Sequence, residues 1–145
     1  MNWKKEAINK LQEFDAMRQA VRSIPEELTR LEMEAKALQG SKVKKRQTAA
    51  QLRRQEDALL TNRIQQRELE ETLRRTQLWL QSVNTAFSSL TPEQKLILNR
   101  FFIMPEKGAA FRLCGELGRE ESTIYRKRDQ ALREFTIALY GISDH

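Results

Sequence analysis

From Trp3 to Val21 the apolar residues fall at Trp3, Ala7, Leu11, Phe14 and Val21, with Ile8 and Met17 widening the stripe. Steps of three, four and seven residues place them on one face of a helix. Ser23-Ile24-Pro25-Glu26 punctuates this pattern. Pro25 suits the first turn of a new helix, where its missing N–H leaves no bond unmade, so residues 1–39 are either one kinked helix or two. Ile24, Leu28, Leu31, Ala35 and Leu38 then alternate four- and three-residue steps, a narrow seam suited to a partner helix. Gly40-Ser41 is expected to end it.

No Gly or Pro occurs from Ser41 until Pro92, and a seven-residue pattern runs through most of this stretch. Leu52, Leu59, Gln66, Leu73, Leu80 and Phe87 recur at that interval. Leu69, Val83 and Leu90 fill companion positions, with polar Thr76 between them. So long a heptad repeat predicts coiled-coil packing, and its polar members, Gln66 and Thr76, would help set register. Residues 1–90 are thus expected to form a helical hairpin or bundle, anchored by Trp3 and Trp79. A narrow stripe on a long helix needs a cover, which predicts self-association through Leu73, Leu80, Val83 and Phe87 or through Leu28, Leu31 and Leu38.

The pattern changes at Ser88-Ser89-Leu90-Thr91-Pro92. Thr91 with Pro92 and Gln94 spells a capping box with proline at the first helical position. Leu96, Ile97, Leu98, Phe101, Phe102 and Ile103 form a wide apolar face, and Met104-Pro105-Glu106-Lys107-Gly108 reads as a loop. A helix through Ala109, Ala110, Phe111, Leu113, Cys114 and Leu117 ends at Gly118. Another carries Ile124, Ala131, Leu132, Phe135 and Leu139. A short helix, the turn Gly118-Arg119-Glu120 and a longer helix together describe a helix-turn-helix in a domain of residues 91–145. With Ile124 inward, helical geometry turns Glu121, Ser122, Tyr125, Arg126 and Asp129 outward. An apolar back and a polar front with long donors is what reading base edges in a major groove requires. Tyr125 could stack on a base or sugar, or pack on the neighbouring helix.

Composition agrees with an all-α chain. Only 5 Gly and 3 Pro occur in 145 residues, and good helix formers dominate, which argues against a β-sandwich or a doubly wound sheet. Hydrophobic residues are 39% and charged residues 32%, enough for a modest core only. Lys and Arg total 26 against 20 Asp and Glu, a net charge of +6 that suits an anionic partner. The excess is concentrated: residues 41–56 hold six basic residues, Lys42, Lys44, Lys45, Arg46, Arg53 and Arg54, against one acidic residue, Glu56. That run is either a solvated linker or a phosphate-contacting arm. One cysteine, Cys114, excludes an intramolecular disulfide, and with His145 as the single histidine there is no zinc ligand set. His145, at the end of the chain, is expected to be disordered. No phosphate-cradling glycine loop appears, so no cofactor, metal or catalytic residue is expected. The opening Met1-Asn2-Trp3-Lys4-Lys5-Glu6 lacks an apolar signal core, and no apolar run approaches the roughly 18 residues needed to span a bilayer. A cytoplasmic protein with no membrane partner is the expectation.

Leu90-Thr91-Pro92-Glu93-Gln94-Lys95, Leu113-Cys114-Gly115-Glu116-Leu117-Gly118 and Ser122-Thr123-Ile124-Tyr125-Arg126 together resemble region four of bacterial sigma factors. Ala131-Leu132-Arg133-Glu134-Phe135 is similar to that family's tail. The resemblance covers about the last third of the chain. The layout as a whole resembles phage transcription regulators of the ArpU and RinA type. Glu120 stands where the family often has a Ser or Asp cap, and Arg112-Leu113-Cys114 where it commonly has Glu-Ile-Ala. The resemblance implies sequence-specific binding of double-stranded DNA by a phage or prophage regulator, with RNA polymerase a further candidate partner, and the expected self-association of residues 1–90 makes it a homodimer. The candidate DNA contacts are Lys107, Arg112, Arg119, Ser122, Thr123, Tyr125, Arg126, Lys127 and Arg128. Two alternatives stay open: a DNA-packaging protein like a small terminase subunit, and a coiled-coil scaffold that binds no nucleic acid.

Overall fold

The structure is a computed structural model that describes residues 1–44 and 46–142, apart from the side chains of residues 41–44. Every regular element among the described residues is helical. They are α1 (Trp3–Lys44), α2 (Ala49–Ser88), α3 (Pro92–Leu98), a π-helix (Asn99–Ile103), α4 (Ala109–Leu117) and α5 (Glu121–Tyr140). The chain forms two compact units, one of Met1–Arg18 with Leu78–His145 and one of Gln19–Gln77. The border expected between residues 90 and 91 is a change of element, from α2 to α3. The units divide within the two long helices instead, because their outer ends pack with α3 and α5.

The Gln19–Gln77 unit is an antiparallel hairpin of α1 and α2. Asn62 Nδ2 donates to the Leu31 carbonyl at 2.9 Å, and Gln55 Nε2 donates to the Leu38 carbonyl. Seven residues forward along α1 therefore match seven residues back along α2. Ile24 and Leu31 are buried on α1, and Gln55, Asn62 and Thr76 on α2. The expected leading seam of Leu52, Leu59, Gln66 and Leu73 is only half-buried. The deeper series is offset by three residues and is largely polar. Amides can occupy it because each finds a carbonyl of the facing helix, which offsets their desolvation. Asn62 Oδ1 also accepts from Gln66 Nε2 at 2.6 Å, and Thr76 Oγ1 donates to the Thr72 carbonyl at 2.7 Å.

The helix ends suggested at Pro25 and Gly40 both fall inside α1. Pro25 does not begin a helix but lies inside α1. An interior proline costs about 3 kcal/mol, yet buried Ile24 and half-buried Leu28 flank it on the seam, and their packing carries the helix through. Gly40-Ser41 does not end α1, which continues to Lys44. Gly40 is not among the glycines with positive φ, so it makes no left-handed cap. The long helical pattern expected beyond the start of the basic stretch is α2, Ala49–Ser88. Gln51 N donates to Thr48 Oγ1 at 3.2 Å and Thr48 N to Gln51 Oε1 at 3.0 Å, a reciprocal capping box that starts α2.

In the other unit, Ala7, Leu11, Val83, Ala86, Leu90, Leu98, Ala131, Leu132 and Phe135 form one buried cluster. Burying a side chain as large as Phe135 or Leu132 contributes about 1.5–3 kcal/mol. Trp3 packs its ring 4.9 Å from that of Tyr140, and Phe87 meets Phe135 edge-on at 6.3 Å. A second cluster of Ile97, Leu113 and Ile124, backed by half-buried Phe101, Cys114 and Leu117, joins α3, α4 and α5. The Thr91, Pro92 and Gln94 cap starts α3 as the sequence predicts. The apolar face beyond it is carried by two elements, since the backbone widens into the π-helix, closed by Met104 N donating to the Asn99 carbonyl at 2.8 Å.

Candidate nucleic-acid interface

The turn between α4 and α5 is built on Gly118, which adopts φ 64 and ψ 38 and donates its N–H to the Cys114 carbonyl. Only glycine enters this left-handed region without strain. Arg119 N donates to the same carbonyl at 3.2 Å. Glu120 then has the extended backbone of an N-cap, φ −73 and ψ 155, but its side chain caps nothing. A carboxylate on a longer stem fits that role poorly.

The longer helix, α5, divides cleanly into two faces. Ile124, Ala131, Leu132, Phe135 and Thr136 are buried. Glu121, Ser122, Tyr125, Arg126 and Asp129 are exposed, and Thr123 is half-buried. Arg126 is exposed, and among the described residues its one side-chain hydrogen bond is Nη2 donating to Thr123 Oγ1 at 3.5 Å. Arg119 and Lys107 are exposed and pair with no carboxylate among the described residues.

Three other expected contacts are already engaged within the fold. Lys127 Nζ lies 3.0 Å from Glu93 Oε1 on α3. Arg128 stacks over the rings of Phe101 and Tyr125, at 5.1 and 5.0 Å from their centres, and pairs with Asp129 at 3.1 Å. Arg112 Nη1 lies 3.2 Å from Glu106 Oε2, whose other oxygen accepts from Arg100 Nη1 at 2.6 Å. Arg100 also reaches Glu116 at 3.1 Å, tying the π-helix to the loop and to α4. Hydrogen bonds first to Glu106 and then to Glu116 hold the Arg100 guanidinium above its ordinary pKa. Tyr125 packs in part, its ring 6.0 Å from that of Phe101, and keeps 38% of its surface exposed. Ring packing and access to a ligand are therefore compatible at Tyr125.

In the basic segment, Arg46 lies exposed in the loop and Arg53 and Arg54 lie exposed near the start of α2, whose first turn has no acidic residue. The side chains of Lys42, Lys44 and Lys45 lie outside the described residues, as does His145. Two features escape sequence reasoning. Phe101 belongs to the ring cluster at the front of α5, although its place in an apolar run reads as plain core. Phe111, apolar and mid-helix, is 82% exposed on α4.

Among the described residues no group of three or more His, Cys, Asp and Glu side chains could hold a metal ion. No helix among them is long and apolar enough to cross a membrane. Comparison with known protein families, with curated proteins and with solved structures finds no match for this chain.

Proposed function

We propose that α4, the Gly118 turn and α5 form a DNA-reading helix-turn-helix, and that the protein is a sequence-specific transcription regulator of phage or prophage origin, acting in the cytoplasm. The observation that carries this reading is the division of α5. Its back, Ile124 to Phe135, is buried, while its front presents Ser122, Tyr125 and Arg126 to solvent. Arg126 is the residue best placed to read a base, since a guanidinium can bond a guanine edge through two parallel donors. Arg119 and Lys107 supply phosphate contacts, which position a protein without specifying sequence. The exposed arginines Arg46, Arg53 and Arg54 add non-specific attraction through counterion release. A homodimer would place two reading helices on two half-sites. RNA polymerase is the further partner that the likeness to sigma region four suggests.

Selection of bound sequences from random duplex DNA tests this directly. Enrichment of a discrete site is the expected result, and two-fold symmetry in that site would support the dimer. A pool that stays random after repeated rounds would end the reading.

One observation favours a second reading, a scaffold that contacts protein. Arg112, Lys127 and Arg128 are engaged within the fold, and Glu120, Glu121 and Asp129 share the front with Arg126. Complete absence of salt-dependent DNA binding would select it.

A further inference from the structure

A concave pocket of about 450 Å³ opens in the unit of Met1–Arg18 and Leu78–His145, well away in sequence from the α4–α5 turn. Its walls are the apolar side chains of Phe14, Leu80, Phe87 and Ile103. Small-molecule sites are of this size and kind, mostly apolar with a few polar groups that fix orientation. The polar groups are Arg18, Asn84, Asn99 and Gln81, and Arg18 is the sole ionisable residue in the lining.

Two further observations mark the pocket as more than a packing defect. The first is its wall. Asn99, Ile103 and Met104 reach it from the π-helix and its C-cap, where the Met104 N–H bonds five residues back to the Asn99 carbonyl. A π-turn sacrifices regular helix geometry and is frequent at functional sites. The second is the state of Arg18. Its guanidinium lies 5.6 Å from the centre of the Phe14 ring and meets Asp15 through one nitrogen, at 2.9 Å. A guanidinium carries five donors in a fixed fork, so this single contact leaves donors for a second carboxylate.

We propose that this pocket binds a small amphipathic carboxylate, with its apolar body between Phe14, Leu80, Phe87 and Ile103 and its carboxylate on Arg18. Arg18 selects the anion: it is the one cation of the lining, Asp15 takes only one of its nitrogens, and the lining itself holds no acidic group. The neutral amides of Asn84 and Asn99 can donate to the same carboxylate. The proposal is independent of DNA binding, because it rests on the pocket alone.

Phenylbutyrate, titrated into the full-length protein and followed through backbone amide resonances, tests it. Saturable shifts at Asn84, Asn99 and Ile103 are expected, with an affinity in the millimolar range or tighter. Phenylbutyramide, the neutral isostere, should bind more weakly. Arg18→Gln should weaken phenylbutyrate by about tenfold and leave phenylbutyramide unchanged, since one charge-assisted contact is lost. Unchanged amide spectra elsewhere would show that this variant is folded. Absence of saturable shifts, or equal affinity of the acid for Arg18→Gln, would overturn the proposal. So would shifts at the same amides on raising protein concentration alone, which would mean that a second copy of the chain covers the pocket.

Discussion

The guanidinium carbon of Arg128 lies 5.0 Å from the centre of the Tyr125 ring, three residues earlier on the same helix. Phe101 of the π-helix completes the stack at 5.1 Å from that carbon. A cation held over two rings is worth about 0.5–2 kcal/mol, according to its exposure. Arg128 therefore serves to hold the front of α5 against the π-helix and is poorly placed to leave for a phosphate. Lys127 is held in a similar way by Glu93. Arg126, between this lysine and Tyr125 in sequence, has among the described residues only a long hydrogen bond to Thr123.

That contrast sets an order among neighbouring cations. Arg126→Ala should weaken binding to the selected site by about 1–3 kcal/mol and relax base preference at one position. Lys127→Ala should change site affinity little. It should also cost at most about 1 kcal/mol of stability, the usual worth of a solvent-accessible ion pair. Fluorescence anisotropy with the selected duplex and a scrambled one separates the cases. Equal losses on both duplexes for Arg126→Ala would make it a phosphate contact, and a larger loss for Lys127→Ala would reverse the assignment.

The turn makes a paired prediction about stability. Glu120 has N-cap backbone geometry without a side-chain cap, so Glu120→Ser should supply the missing acceptor and stabilise the fold by about 0.5–1 kcal/mol. Gly118→Ala should cost about 1 kcal/mol, because a Cβ is disfavoured at φ 64 although no atom lies within 4 Å of it. Midpoints of urea unfolding report both changes. A Gly118→Ala protein as stable as the parent would mean that the turn is not left-handed in solution.

How much of this was legible depends on how local each cause is. The start of α3 is written in Thr91, Pro92 and Gln94, which act within one turn, and the two faces of α5 follow from period alone. The same Thr-x-x-Gln signal at Thr48 and Gln51 is harder to weigh, because it stands inside a charged run with heptad leucines beyond it. Pro25 and Gly40 mark helix ends by local preference; the packing of Ile24, Leu28 and Leu31 overrides it at Pro25, and Gly40 stays in α1 without the positive φ of a cap. Gln55 and Asn62 look like surface residues until the facing helix brings the Leu38 and Leu31 carbonyls to them. The engagement of Lys127 by Glu93, far off in sequence, has no local signature at all.

The buried amide at Asn62 invites a test of what polar seams do. The Leu31 carbonyl keeps its bond within its own helix through its second lone pair, and the one donor that Asn62→Leu deprives of its acceptor, Gln66 Nε2, belongs to a half-buried side chain that can turn to water. Replacing a buried polar contact with an apolar side chain of similar size should leave stability unchanged or raise it by about 1 kcal/mol. Register should suffer, since a polar residue at one core position disfavours slipped and higher-order pairings. Sedimentation of the full-length variant should then show more than one species where the parent shows one. A loss beyond about 2 kcal/mol, with a single species retained, would mean that Asn62 provides stability and not specificity.

The exposed arginines around the α1–α2 loop lead to a prediction about salt. Each phosphate contact made by a cation releases condensed counterions, and the logarithm of affinity falls with that of salt by about 0.9 per contact on duplex DNA. If Arg46, Arg53 and Arg54 all touch phosphate, changing the three to Gln should lower the slope by about 2–3 and weaken specific and random duplexes alike. Base preference should not move, because phosphates carry no sequence information. Arg126→Ala should do the opposite: it should shift preference and leave most of the slope intact. Measuring both proteins across a salt series therefore divides attraction from reading. An unchanged slope in the triple variant would make the basic segment a solvated surface, and a collapse of site preference in it would place reading residues near the loop.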